Sequence, residues 1–557
     1  MKKLLGLLIV IFLSFWLIRP LLSNGYFPMH DDTQVARVVV MGKALREGQF
    51  PVRWVSDLGY GFGYPIFNFY GPLPYYIGGG LYALGVDSVV ATKLMFGIGI
   101  ILASVTIYLL LEKVFGKISA IVGSIAFSYA PYHAVDIYVR GAVGEYWAIA
   151  FLPLLVLGFV LLSKKKQRLL GILVGAIGLF GVIFSHTILG YLTTGIVVVS
   201  ILIFLGIRVV QKKMNIVNIL MPVSILVLGL SLSAFFWIPA FSEMKYTGVS
   251  SMITGATTGF FDHFVCVGQL WNSPWGFGGS APGCIDGMSF KLGKPEIILA
   301  ILGIGGWLFL LFKKKQSKAI IFMDGSVALF IVSLVGVLSI SQSIWSMIPF
   351  YSFIQYPWRL LSYTIVCLGC LGAFFVTLIQ RPVFRLVFAL IAIGLCIGVN
   401  AKLFQPHYLY ARDSSEFETP TELRYRISKI SDEYLPAGIP KPSRPEDIVH
   451  GLVKGDSINV TILKDTDTSV EVEVESSKIQ QIQIQKAYFP GWKYQINGKD
   501  VIPKIARGLP SMIVSEGKSL VEMRFTNTPI RTVGNVISVI SILLMAGILI
   551  YDKKTNS

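Results

Sequence analysis

The sequence predicts a polytopic α-helical membrane protein of about twelve transmembrane helices, with a C-terminal extracytoplasmic domain resembling a β-sandwich. Three observations predict it. Of 557 residues, 54% are hydrophobic and only 14% charged, more apolar surface than a water-soluble fold can hide. Apolar runs of near-spanning length recur along the chain, separated by short charged turns. One late stretch switches to alternating polar and apolar residues, the period of a half-buried strand.

The apolar runs cover 4–22, 91–112, 118–136, 145–163, 169–186, 188–208, 215–238, 295–312, 319–340, 359–379, 383–400 and 533–551. Each is close to the ~20 residues that a helix rising ~1.5 Å per residue needs to cross a bilayer. The first run follows Met1-Lys2-Lys3 and ends in Arg19-Pro20-Leu21-Leu22-Ser23 without a small-x-small cleavage site, so a retained span is expected rather than a removed signal. With Lys2-Lys3 inside, alternation places the basic clusters at 112–117, 164–168, 208–213, 313–318, 381–385 and 552–554 on that same side, as the positive-inside rule requires. The net charge of +17 is therefore topology signal, not a nucleic-acid footprint. Both termini are expected in the cytoplasm. The short apolar stretch 75–84 would invert every later cluster if it crossed, and is expected as an interfacial or re-entrant helix.

Three regions follow: a transmembrane module over 1–401, with outer loops at 23–90, 137–144, 239–294 and 341–358; an extracytoplasmic β-rich domain over 402–532; and a last helix with a cytoplasmic tail over 533–557. In the β-rich domain, 457–462, 469–474 and 479–484 alternate with period two, and Asn497-Gly498 is a hairpin turn signal. Its first part, 405–450, is Pro- and charge-rich and expected to be irregular. Cys367, Cys370 and Cys396 lie in spans as small core residues, whereas Cys266 and Cys284 share an outer loop and are candidates for a disulfide.

Chemistry is expected on the outer face, because the inner side offers only tight basic turns. The loop after the first span carries His30-Asp31-Asp32, followed by Arg37, Lys43, Arg46 and Arg53 among aromatics, including Gly63-Tyr64-Pro65 and Asn68-Phe69-Tyr70. Adjacent carboxylates raise each other's proton affinity unless a cation offsets them, which suits a general base or a metal ligand. The plainer alternative is a solvated loop end, or an N-cap for a helix starting near Thr33. Arg140 and Glu145 flank the next outer turn, either as a buried ion pair or as a phosphate-holding fork with an assisting carboxylate. His186 at the junction of two spans is either a helix-to-helix hydrogen-bonding group or a substrate contact. Trp358-Arg359 heads another span, with Arg359 either snorkelling beside a belt tryptophan or binding phosphate.

Taken together, Pro28-Met29-His30-Asp31-Asp32, Tyr138-Val139-Arg140-Gly141 with Glu145, Gln355-Tyr356-Pro357-Trp358-Arg359-Leu360-Leu361 and Ala487-Tyr488-Phe489-Pro490-Gly491-Trp492-Lys493 resemble the GT-C superfamily of membrane glycosyltransferases. The closer resemblance is to bacterial YfhO-type proteins and the group labelled pyruvoyl-tetrahydropterin-synthase-related, a label not read as pterin chemistry. The resemblance implies a bacterial plasma-membrane enzyme that transfers a sugar from a polyprenyl-phosphate donor to an extracytoplasmic glycan, lipid or protein, with inversion. Asp31 or Asp32 is the implied general base, with Glu145 as a further catalytic carboxylate. His30, Tyr64, Asn68, Arg140, His186, Trp358 and Arg359 are the substrate-binding candidates. Some branches use Mg or Mn; here Asp31, Asp32 and Glu145 are the candidate ligands. Two alternatives are a lipid-linked glycan flippase and a non-catalytic envelope scaffold. A flippase tends to place ionisable groups at mid-membrane in paired broken helices, whereas this sequence keeps them at the outer boundary.

Overall fold

A computed structural model describes residues 4–249, 259–348 and 351–556, with side chains up to Tyr551; the predicted basic cluster at Lys2-Lys3 lies outside the described residues, as do the side chains of the one at 552–554. Ten described helices are long and apolar enough to cross a membrane, and two bent helix pairs raise the count to twelve. Spans 1 to 6 are Leu5–Leu22, Ser88–Phe115, the pair Lys117–Ser128 and Pro131–Arg140, Val143–Leu162, Lys165–Ser185 and Thr187–Val210. Spans 7 to 12 are the pair Ile216–Leu232 and Ala234–Tyr246, then Lys294–Phe312, Lys318–Gly336, Pro357–Leu378, Pro382–Leu403 and Pro529–Tyr551.

The bends are the main departures from the straight spans expected at 118–136 and 215–238. Span 3 bends by 46° where Pro131 interrupts its hydrogen-bonding ladder, and span 7 by 66° near Ser233. The second half of span 3 winds as a wider π-type turn over Val135–Arg140 and stops at Gly141. The outer turn expected over 137–144 therefore shrinks to little more than Gly141 and Ala142. Stretch 75–84 forms the helix Leu73–Ala83, whose 11 residues are too few to span.

The C-terminal domain is two antiparallel sheets. Their strands are β1 Val453–Lys454, β2 Ile458–Asp465, β3 Ser469–Ser476, β4 Gln480–Ile484, β5 Trp492–Ile496, β6 Lys499–Asp500, β7 Lys504–Ala506, β8 Leu509–Val514 and β9 Gly517–Phe525. One sheet runs β1-β4-β8-β7 and the other β2-β3-β9-β5-β6. Alternation decides the faces: Val470, Val472 and Val474 of β3 are buried, while Glu471 and Glu473 between them face outward. Asn497 and Gly498, both at positive φ, turn β5 into β6. The preceding segment 405–450 contains no strand and is instead short helical turns, among them Ser414–Glu418, Glu422–Ile427 and Ser428–Ile430.

The first loop joins bundle to roof. Trp54 packs between Phe489, Trp492 and Phe525 of the β domain, with ring centroids 5.7–5.9 Å away. The helix Gln34–Arg46 is buried on nearly every side, as a segment sandwiched between bundle and roof must be. Tyr26 and Tyr410 exchange both backbone hydrogen bonds at 2.9 Å, so the segment after span 11 docks on the loop after span 1.

Candidate active site

The loop after span 1 lies against the broken end of span 3. His30 and Asp31 donate their backbone N–H groups to the carbonyls of Val139 and Arg140 at 3.0 and 2.9 Å. That approach needs glycine at 141: its φ is +66°, and an added Cβ would lie 2.2 Å from the Met29 sulfur. Gln34 locks the arrangement by donating to the carbonyls of Asp31 and Gly141 at 3.1 and 2.8 Å. His30 is exposed, and its Nε2 meets the Phe277 carbonyl at 3.0 Å.

The two adjacent aspartates meet different fates. Asp32 accepts from Arg426 at 3.1 Å, and burial lifts its carboxyl above the ordinary range against the pull of that guanidinium. Asp31 is half-buried, and among the described residues no side chain donates to its carboxylate. Neither side chain caps the following helix, whose N-cap is Thr33.

The second group is assembled from three spans. Glu145, in the first turn of span 4, accepts from Arg140 at 2.9 Å, Arg359 at 2.7 Å, Tyr132 at 2.7 Å and Ser362 at 3.1 Å. Four donors fill the capacity of one carboxylate, and Glu145 is fully buried. Arg140 also pairs with Asp136, four residues earlier on the same turn. Its guanidinium lies 4.5 Å over the Trp358 ring. Arg359 donates to Gln355 at 2.6 Å and lies 3.3 Å from His186 Nε2.

His186 interrupts the chain between spans 5 and 6, where its Nδ1 accepts the Leu189 N–H at 3.1 Å. A neutral His186 therefore carries its proton on Nε2, so it and Arg359 present donors side by side instead of to each other. Arg359 Nε and Trp358 Nε1 are buried without a partner among the described residues. Unmet donors beside two guanidiniums are the local chemistry of an anion site. Gly71 brings the first loop here as well, since an added Cβ would lie 2.0 Å from the Ser185 carbonyl oxygen.

The remaining candidates divide. Tyr64 is buried, its hydroxyl accepting the Tyr434 N–H at 3.1 Å, beside the cleft. Asn68 is elsewhere, bonded to Arg53 at 2.9 Å and Glu243 at 2.8 Å in a sealed cluster under span 12. Cys266 and Cys284 are joined as a disulfide. Among the described residues no group of three or more His, Cys, Asp or Glu side chains is placed to hold a metal ion. Of the three candidate ligands, Glu145 has its oxygens filled by four donors, Asp32 gives one oxygen to Arg426, and Asp31 has no donor among the described residues. Arg37, noted in the sequence only as one of four basic residues after the aspartates, meets Ser431 and through it Glu433, a residue that sequence reasoning did not single out. Glu433 lies in the stretch read as irregular, and the segment's docking on the first loop has no local signature.

Up to twelve apolar helices beneath a small β domain, with polar residues from distant spans gathered on the roofed face, define a polytopic membrane protein. The family model for the 6-pyruvoyl-tetrahydropterin synthase related domain, a membrane-protein family, matches residues 67–406, and the chain belongs to that family. An uncharacterised protein of Lactococcus lactis subsp. cremoris is 25% identical over 244 residues, 43% of this chain and 39% of that protein; the chain thus matches well under two thirds of its relative's length. Among solved structures, the arabinofuranosyltransferase AftD from mycobacteria is 14% identical with a TM-score of 0.46, covering 72% of this chain and 27% of that one. The oligosaccharyltransferase AglB from Archaeoglobus fulgidus, in complex with an inhibitory peptide and a dolichol-phosphate, is 14% identical with a TM-score of 0.43, covering 80% and 61%. ArnT from Cupriavidus metallidurans, bound to undecaprenyl phosphate, is 12% identical with a TM-score of 0.31, covering 75% and 90%.

Proposed function

We propose that this protein is a membrane glycosyltransferase that moves a sugar from a polyprenyl-phosphate carrier to a hydroxyl acceptor on the face roofed by the β domain, with inversion. The observation that carries this reading is Asp31. Among the described residues its carboxylate has no partner, and it stands on a backbone pinned to the carbonyl of Arg140, the residue whose guanidinium shares Glu145 with Arg359. A free carboxylate and an anion site carried by the same stretch of chain are the two groups that displacement of a phosphate by a hydroxyl requires.

In this mechanism Asp31 takes the acceptor hydroxyl proton as that oxygen attacks the anomeric carbon. The bond to the carrier phosphate breaks, and Arg140, Arg359 and the His186 Nε2 proton stabilise the leaving oxygen. Glu145 has no free lone pair, so its part is to hold both guanidiniums in place, and Asp32 positions the docked segment through Arg426. Tyr356, half-buried and stacked at 4.9 Å on the buried Trp358, supplies an aromatic face of the kind that lines sugar sites.

The test is sugar release and transfer from radiolabelled polyprenyl-phosphate sugars in proteoliposomes, with a chelator arm. Release with at least one donor is expected. No release with any donor would contradict the reading and favour a flippase or scaffold.

A further inference from the structure

The segment after span 11 brings a second carboxylate, Glu433, towards the first loop, 402 positions beyond Asp31 (433 − 31). It is reached by a continuous set of side chains. Gln34, which holds the Asp31 carbonyl, accepts from the Tyr75 hydroxyl at 2.6 Å. Arg37 donates to that hydroxyl at 3.2 Å and to the Ser431 hydroxyl at 2.9 Å. Ser431 lies 3.0 and 3.1 Å from the two carboxylate oxygens of Glu433. One hydroxyl proton serves one of those oxygens, and among the described residues no cation is within ion-pair distance of either.

The walls of this space are aromatic. Tyr434 stacks on Phe69 at 5.4 Å with the rings 5° from parallel, and the Arg37 guanidinium lies 4.2 Å over the Tyr70 ring. Burial, then Asp31 and Glu433 against Arg37, raise the Tyr70 hydroxyl's pKa, which places that hydroxyl in the field of both carboxylates. The buried Arg37 guanidinium, bonded to the Ser431 hydroxyl that serves Glu433, offsets the Glu433 charge. That offset favours a neutral, hydroxyl-rich ligand at Glu433 over an ammonium group. Carboxylate oxygens that accept hydroxyl protons, beside flat ring faces, are the chemistry that recognises a pyranose.

We propose that Glu433, with Tyr434 and Tyr70 as walls, binds the sugar-like acceptor by accepting a hydrogen bond from a hydroxyl neighbouring the one that Asp31 deprotonates. This rests on the glycosyltransferase reading for the role of acceptor, but the binding itself does not require turnover.

The experiment uses the full chain in nanodiscs with a panel of methyl hexopyranosides as probes. Binding is read by saturation-transfer NMR, and in parallel as the acceptor KM and kcat with a polyprenyl-phosphate sugar. Binding is expected in the wild type and weakened about tenfold or more in Glu433→Ala, the loss of one hydrogen bond to a charged group. The acceptor KM should rise to match, with kcat and donor KM little changed. Glu433→Gln, which keeps the shape and one acceptor oxygen, should fall between, and guards against misfolding of the alanine variant. No glycoside binding in the wild type, or binding undiminished in both variants, overturns the subsite whatever the turnover assay shows. Glu433-dependent binding without cleavage of any donor would instead leave the subsite standing and contradict the transfer reading.

Discussion

Two buried clusters in this protein are built from the same parts and do different work. In one, Arg140 and Arg359 share Glu145; in the other, Arg53 and Arg531 flank Glu243. The second cluster ends largely on backbone, although Arg53 also meets the Asn68 and Asn535 amides and its Nε, like that of Arg359, has no partner among the described residues. Arg531 donates to the carbonyls of Pro490 and Thr526, and Arg53 to that of Phe235, while Glu243 also accepts from Asn68 and Thr528. Arg531 is completely buried, and the contacts tie span 12 to span 7, the first loop and the β domain. The first cluster ends on side chains that still have capacity, at Gln355, His186 and Trp358. Charge count does not separate a structural tie from a site. What sets the second apart is that its guanidiniums also end on three backbone carbonyls, at Phe235, Thr526 and Pro490.

The sharpest break of this contrast is a cross of variants. Glu243→Ala leaves two guanidiniums buried against each other and should cost about 3–5 kcal/mol of stability, read as a fall in melting temperature in detergent, with activity per folded molecule largely kept. Arg359→Lys keeps the charge but loses the fork that meets a phosphate, and should lower kcat by about a hundredfold with little change in melting temperature. The reverse pattern would show that the two clusters had been assigned the wrong way round.

A smaller effect sharpens the boundary between roof and loop. Asp467 accepts the Ser56 N–H at 2.6 Å, and burial, reinforced by Glu47, pushes its carboxyl up to about 7, against Ser56 and Lys486, with Asp57 adding to the rise. Its folded value lies above its unfolded one, so its stabilising contribution is complete below about pH 4 and lost as pH rises through about 7. Lys486 is held by Asp465, and Asp57 by Lys43 and Arg424, so these neighbours stay paired across that window. The protection factor of the Ser56 amide, its exchange rate relative to the intrinsic rate at each pH, should fall from pH 5 to pH 8 in the wild type and stay level in Asp467→Asn.

Much of the architecture was legible in the sequence because lipid imposes it: spans must be long and apolar, and their charged ends alternate. The strands showed through Val470, Val472 and Val474 alternating with glutamates, and the hairpin through Asn497-Gly498. The helix Gln34–Arg46 was harder to read, since a segment buried on all sides has no polar face to give it a period. The bends at Pro131 and Ser233 were hidden inside runs whose composition fits a straight span.

Of the site, sequence showed which outer boundaries carry polar groups: His30-Asp31-Asp32, Arg140 with Glu145, His186, Trp358-Arg359. It did not show their partners. Asp32 meets Arg426 across 394 positions, and Asn68 meets Glu243 across 175, pairings with no local trace. Asp31 and Asp32 are identical in type and adjacent, and only the fold distinguishes them, by giving one a guanidinium and leaving the other open.

That difference is the most direct measurement: transfer from a labelled polyprenyl-phosphate sugar by Asp31→Asn and Asp32→Asn, side by side, each checked for an unchanged melting profile. If Asp31 is the base, its variant loses transfer by about a hundredfold or more, while Asp32→Asn keeps most of it. Full activity in Asp31→Asn, or an equal loss in both, would contradict the assignment.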